Sequence, residues 1–214
     1  MAIIVPGILT DNEHDYERRL KLAEHVAGLI QIDVVDGKFA KSNTVQSDVI
    51  KKYQSSRFLE IQLMVVDPSA YIEKLGKLDY VSRIIFPLEI NGNINELIYS
   101  IRKFNKQAGI SLNPETPITS AQNFFDEVDL LLLMTGRPGF SGQQLGEETY
   151  DRIHEAKNLA QDLAVEIDIG VNESNVKQLA EAGADFLVTS SAIYNAPDFY
   201  VAYEKLANLA STKA

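Results

Sequence analysis

No cysteine occurs among the 214 residues, which removes disulfides, thiolate metal sites and cysteine nucleophiles from consideration. Positive charge is in short supply as well. Twenty Lys and Arg stand against 30 Asp and Glu, a formal net charge of −10 with a sequence pI near 4.8. Such a surface repels phosphate backbones and anionic bilayers, so neither nucleic acid nor a membrane is expected as a partner. No apolar run reaches the length that spans a bilayer. The stretch MAIIVPGILT carries no basic leader and is broken by Pro6 and Gly7; it reads as a first strand rather than a signal peptide, and a cytoplasmic protein is the expectation. Nothing resembles a linker either, so residues 1–214 are expected to form one domain.

What the chain does contain, with 45% hydrophobic residues, is a regular alternation of strand-length apolar runs and helix-like stretches. Eight strands are predicted, at residues 3–9, 28–35, 58–66, 79–88, 108–113, 128–135, 164–169 and 185–190, each followed by a helix candidate. Ile153, Ala156, Ala160 and Leu163 illustrate the helical pattern, an apolar stripe at spacings of three and four. Strand, helix, strand without a hairpin signal means parallel neighbours joined by crossovers. Eight such units in a chain of this size predict an α/β fold, a closed (β/α)8 TIM barrel. An open doubly wound sheet needs no eighth repeat and would carry a glycine fingerprint after its first strand; PGILTDN is not GxGxxG.

In a barrel, side chains alternate between the interior and the helices, and chemistry is done at the carboxyl ends of the strands. In strand two Ile30, Ile32 and Val34 are expected to face the helices while Gln31 and Asp33 face inward. In strand three Leu59, Ile61 and Leu63 face outward and Glu60 and Gln62 inward. In strand seven Val165, Ile167 and Ile169 face outward and Glu166 and Asp168 inward. Glu60 and Glu166, deeper down, are read as a polar layer that pairs with itself. Asp33 and Asp168, near the strand ends, are read as working acids, because an idle buried carboxylate is costly. Two carboxylates facing each other across a barrel mouth can take a proton from one face of a carbon and return it to the other, which inverts that carbon.

PGIL, IDVVDGKF, IQLMVVDPSAYI, SLNPETP, LLMTGRPGFSGQ, EIDIG and GADFLVTSSAIYNAPD follow one another in order along nearly the whole chain. Together they resemble the ribulose-phosphate 3-epimerases and their relatives among the ribulose-phosphate-binding barrels. The resemblance implies inversion at C3 of a ketose phosphate, ribulose 5-phosphate to xylulose 5-phosphate or a close relative, with Asp33 and Asp168 as the catalytic acid and base. It also implies a homo-oligomer and a small phosphorylated sugar as ligand. In the family a divalent metal is held by the two aspartates and by histidines of the motifs HxDxMDG and HLM; at the matching positions this chain has Gln31 and Gln62. An Asp2Gln2 set suits zinc or ferrous iron poorly. If a metal binds at Asp33, Asp168, Gln31 and Gln62, magnesium or manganese is the expectation; with no metal, the two glutamines bring amide donors to the same place. The three histidines, His14, His25 and His154, all fall in or beside outer helices.

Other departures cluster nearby. Gly7 stands where the family has serine, Ser42 followed by Asn43 where it has asparagine, and Arg137 of the sixth loop where it has asparagine. The methionines that cap the family's site correspond to Val35, Met64 and Met134. The family's Gly-Gly, Gly-Gly and Gly-Ser phosphate pairs appear as Ser141-Gly142, Ile169-Gly170 and Ser190-Ser191. From these the substrate-binding set is expected to comprise Gln31, Gln62, Met64, Met134, Gly142, Gly170, Ser190 and Ser191. A sugar-phosphate-binding barrel without activity is the alternative. Decarboxylase or aldol chemistry on the same scaffold uses Asp-x-Lys-x-x-Asp, and DVVDGK has no lysine between its aspartates.

Overall fold

Runs rich in Ile, Val and Leu, each bounded by Gly, Pro, Asn or Asp, become eight strands in the computed structural model, which describes residues 1–211. They are β1 (Ile3–Ile8), β2 (Leu29–Val35), β3 (Phe58–Met64), β4 (Val81–Pro87), β5 (Gln107–Leu112), β6 (Leu130–Met134), β7 (Ala164–Asp168) and β8 (Phe186–Thr189). Each lies inside its predicted span, save that β5 begins one residue early. All neighbours are parallel, and β1 pairs with β8, Ile3 opposite Phe186 and Val5 opposite Val188, to close the ring. Closure removes the open sheet edges that a doubly wound fold would leave.

The strands alternate with α1 (Glu13–Glu24), α2 (Ser47–Lys52), α3 (Ser69–Leu75), α4 (Ile94–Arg102), α5 (Thr149–Leu159), α6 (Val176–Ala182), α7 (Ser191–Tyr194) and α8 (Phe199–Ser211). Local chemistry sets their limits. Asn12 caps α1 by accepting the Asp15 N–H at 3.0 Å, and α1 then buries Tyr16, Leu20 and Ala23, one stripe against the barrel. Burying each large apolar side chain of this kind contributes about 1.5–3 kcal/mol. Two expectations are corrected. The connection after β5 is a 3₁₀ helix (Ile118–Phe124), not an α-helix. α5 stops at Leu159, so Ala160 caps it and Leu163 reaches its buried position from the turn before β7.

Two apolar regions result. The larger lies between strands and helices and takes Ile30, Ile32, Val34, Leu59, Ile61, Leu63, Val165 and Ile167, the outward set expected of β2, β3 and β7. The smaller fills the barrel with Val35, Met64, Ile85, Leu130, Leu132, Met134 and Ile169. Ile169 is therefore inside, not outside as strand alternation predicted. β7 ends at Asp168, and Ile169 takes φ 81°, a turn that breaks the period and swings its side chain onto the rim.

Candidate active site

Asp33 near the end of β2 and Asp168 at the end of β7 are both buried, 6% and 8% exposed. A threonine from a neighbouring segment secures the backbone behind each. Thr44 Oγ1 donates to the Asp33 carbonyl at 2.6 Å and accepts the Val35 N–H at 2.9 Å. Thr135 Oγ1 lies 3.0 Å from the Asp168 carbonyl and 2.6 Å from that of Ile169. The second anchor holds a turn that a β-branched residue resists, since positive φ crowds its Cβ. Gly170, next in the chain, has φ 79°, and a Cβ there would meet Leu145 N at 2.5 Å; only glycine fits.

Both predicted glutamines converge on these acids. Gln31 Nε2 donates to Asp33 Oδ1 at 2.8 Å. β2 and β3 pair with Asp33 opposite Gln62. With its NH2 turned to the acids, Gln62 donates to Asp33 Oδ1 at 2.9 Å and to Asp168 Oδ2 at 3.0 Å. In the opposite amide orientation its oxygen accepts from Gln31 Nε2 at 3.0 Å but also faces two carboxylates, and its nitrogen is left on Met134 Sδ, a weak acceptor. Burial, and then the charge of Asp168, push the Asp33 carboxyl well above the usual range. Burial lifts Asp168 to about 6, against the opposing pull of hydrogen bonds from the Ile169 N–H, Gln31 and Gln62. Burial thus raises both carboxyls, and the amide and backbone donors around Asp168 oppose that rise.

Below them Glu60 and Glu166 do not pair only with each other. Arg83 of β4, 6% exposed, donates from Nη1 to Glu60 Oε2 at 2.7 Å and Glu166 Oε2 at 3.5 Å, and its guanidinium lies 4.7 Å from the Phe186 ring centre. Burial and the adjacent Glu60 hold Glu166 protonated well above the ordinary range. The Oε1 atoms of both glutamates are buried without a hydrogen-bond partner. One guanidinium therefore serves both interior glutamates.

A small cavity opens above the acids. Asp33, Asp168, Met64, Met134, Gly142, Gly170, Ser190 and Ser191 all line it, so eight of the ten residues expected from sequence share one space. Gln31 and Gln62 do not line it. They are fully buried beside the carboxylates to which they are hydrogen-bonded. Ser190 Oγ is buried with no partner. Of the drifted positions, Gly7 lines the cavity, Ser42 Oγ donates to the Gly139 carbonyl at 2.8 Å and ties loop two to loop six, and Arg137 is exposed.

The metal that the resemblance implies does not fit these residues. The donor set has two carboxylates and two neutral amides, with both amide NH2 groups directed at the oxygens an ion would need. His14, His25 and His154 are exposed on or beside α1 and α5, and among the described residues no group of three or more His, Cys, Asp or Glu is placed to hold an ion. Among those residues, too, no helix is long and apolar enough to cross a membrane.

Several contributors escaped the sequence reading. Arg83 sits in VSRIIFP, where consecutive apolar residues hide the alternation and a register shift opposite Leu59 and Glu60 resets it. Thr44, Thr135 and Gln143 look like ordinary loop residues; the Gln143 amide clasps loop six by accepting the Arg137 N–H at 3.0 Å and donating to the Arg137 and Phe140 carbonyls, each at 2.8 Å.

Comparison with known proteins bears on the same residues. By structure, the chain superposes on 3-hexulose-6-phosphate synthase from Salmonella typhimurium with a TM-score of 0.73 at 15% identity, over 97% of this chain and 98% of that one. It superposes equally on a variant tryptophan synthase alpha-subunit from Pyrococcus furiosus, TM-score 0.74 at 15% identity and 98% of each chain. These likenesses speak to the barrel alone. By sequence, it is 32% identical over 206 residues to ribulose-phosphate 3-epimerase of Bacillus subtilis, covering 92% of this chain and 94% of that protein. It is 35% identical over 181 residues to ribulose-phosphate 3-epimerase of Chlamydia trachomatis, covering 81% and 77%. The profile described as the Ribulose-phosphate 3 epimerase family spans residues 3–194, from β1 through α7 and so across both aspartates and the whole cavity, which makes this chain a member of the ribulose-phosphate 3-epimerase family.

Proposed function

We propose that the chain is a pentose-phosphate epimerase that inverts C3 of D-ribulose 5-phosphate to give D-xylulose 5-phosphate. The observation that carries this is the pair Asp33 and Asp168, buried at one cavity and sharing a single amide donor, with burial raising both carboxyls. An epimerase needs one group ready to accept a proton and one ready to give it. Ionised Asp168 removes the proton from C3. The C–H electron pair moves into the C2 carbonyl and leaves an enediolate. Neutral Asp33 delivers its proton to C3 from the other face as the carbonyl reforms. One proton leaves and one returns, and exchange with water resets the two acids.

The rest of the cavity suits the rest of the molecule. Met64 and Met134 give an apolar, water-excluding wall over the reacting carbons. Gly142, Gly170 and Ser191 let backbone N–H groups and a hydroxyl approach an anion closely, and the unpartnered Ser190 Oγ supplies one more donor. These four residues are assigned to the phosphate.

The test is conversion of ribulose 5-phosphate to xylulose 5-phosphate by the purified protein, followed with an enzyme that consumes only the latter and compared across four-, five- and six-carbon ketose phosphates. Turnover selective for the pentulose phosphate supports the assignment. Calorimetric binding of ribulose 5-phosphate with no turnover of any of them would show a sugar-phosphate binder instead.

A further inference from the structure

We infer that the amides of Gln31 and Gln62 do the work a bridging cation would do between two facing carboxylates, and that this site runs its acid/base chemistry without a divalent metal. The inference rests on the epimerase reading for its chemistry but on the hydrogen bonds alone for its geometry. A cation between two acids performs two tasks. It holds the carboxylates in a fixed relation, and it offsets their mutual repulsion. The Gln62 NH2 reaches Asp33 Oδ1 and Asp168 Oδ2 at once, which fixes the relation. Gln31 adds a second donor to Asp33 Oδ1 at 2.8 Å. Repulsion is met by these amide donors, whose N–H dipoles face the carboxylate oxygens.

A cation would find the place chemically wrong. To ligate Asp33 and Asp168 it must come against the NH2 groups that now donate to their oxygens. Turning the Gln62 amide would relieve this in part and let its oxygen accept from Gln31 Nε2 at 3.0 Å, but it would give up two charge-assisted bonds to the acids and bury its NH2 against Met134 Sδ. Gln31 Oε1, buried and without a donor, is the one amide atom free to be recruited without such a turn. A single neutral oxygen beside two carboxylates is a thin set for magnesium or manganese, and with no imidazole in the barrel it is a poor one for zinc or ferrous iron. The glutamines are therefore positioning residues. They lie beside the acids, outside the cavity wall, and act through them.

The experiment is a metal titration read independently of turnover. The purified chain is assayed for Zn, Fe, Mn and Mg by elemental analysis, then titrated calorimetrically with MnCl2 and with ZnCl2, alongside the double variant Gln31→His, Gln62→His. The expected result is no stoichiometric metal and no saturable heat for the natural chain, unchanged epimerase activity in EDTA, and one zinc per chain for the double variant. Should the double variant not fold, the natural chain's own titration still decides. Purification with one ion per chain, saturable manganese binding, or activity lost in EDTA and restored by one metal would overturn the inference while leaving the epimerase reading intact. Metal-free protein that binds no ion yet converts no ketose phosphate would do the reverse.

Discussion

Asp33 and Asp168 are joined through one side-chain amide: Gln62 donates to Oδ1 of the first at 2.9 Å and to Oδ2 of the second at 3.0 Å. Two acids this close in a dry interior cannot both ionise easily. Inversion at carbon requires one of them ionised and the other protonated, and the behaviour of the protein with pH should display it.

The pH profile of kcat/KM for ribulose 5-phosphate is expected to rise about tenfold per pH unit below the Asp168 value of about 6 and level above it, as the base ionises. At higher pH it falls again as Asp33, held well above the normal carboxylate range, gives up the proton it must deliver. Initial rates across the range where the fold is intact check this. A profile that climbs only through pH 4 would place the base elsewhere.

Stability carries the opposite signature. Asp168 has its folded-state value raised above its unfolded one, from 3.8 to about 6, so the folded state binds more protons between those values and stability falls as pH rises through that window. The cost is absent below pH 3.8 and complete above about 6, on the order of 3 kcal/mol for a group this deeply buried. Asp168→Asn should remove that slope. Urea unfolding at pH 5 and pH 7.5 should show a smaller difference for the variant than for the natural chain, and an identical difference would contradict the raised value.

Arg83 meets Glu60 at 2.7 Å with both side chains buried. Arg83→Met strands the remaining charge and should lower stability by about 3–5 kcal/mol, whereas Arg83→Met combined with Glu60→Gln should recover much of the loss, because no ion is then left unpaired. Denaturant midpoints of the two variants measure this. Equal losses in both would mean that packing on Phe186, not charge, is what the arginine contributes.

Thr135 is expected to influence catalysis through the backbone it holds. Thr135→Val keeps the shape and deletes the hydroxyl that holds the Asp168 and Ile169 carbonyls, at a cost of about 1–2 kcal/mol in stability. With the strained turn at Ile169 relaxed, Asp168 loses its aim, so kcat should fall by about tenfold or more while KM changes little. A fall in stability with kcat unchanged would confine Thr135 to a structural role.

The barrel was legible because its signals are local and repeated. Eight apolar runs at strand length, separated by amphipathic stretches, admit few other arrangements, and Gln31, Asp33, Gln62 and Asp168 betray themselves as polar residues at inward positions. The site was less so wherever meaning depends on depth. Alternation puts Gln31 and Gln62 inside the barrel but cannot say that they are hydrogen-bonded to the acids and outside the cavity wall. It assigns Ile169 outward because it cannot foresee that β7 ends one residue sooner, at a turn that reverses the side chain. Arg83 is hidden by the run of Ile84, Ile85 and Phe86 and by the register shift beside it. Thr44, Thr135 and Gln143 matter through what their side chains reach across the fold, which no spacing in the chain encodes.

The most direct measurement is the fate of the C3 hydrogen. In deuterium oxide with EDTA present, ribulose 5-phosphate turned over by the natural chain should yield xylulose 5-phosphate bearing one deuterium at C3, seen by proton NMR as loss of that signal. Asp168→Asn and Asp33→Asn should each slow the reaction by about 10²–10⁴-fold while remaining folded. Product that keeps its original hydrogen at C3, or either variant turning over at the natural rate, would contradict a proton exchanged between two acids.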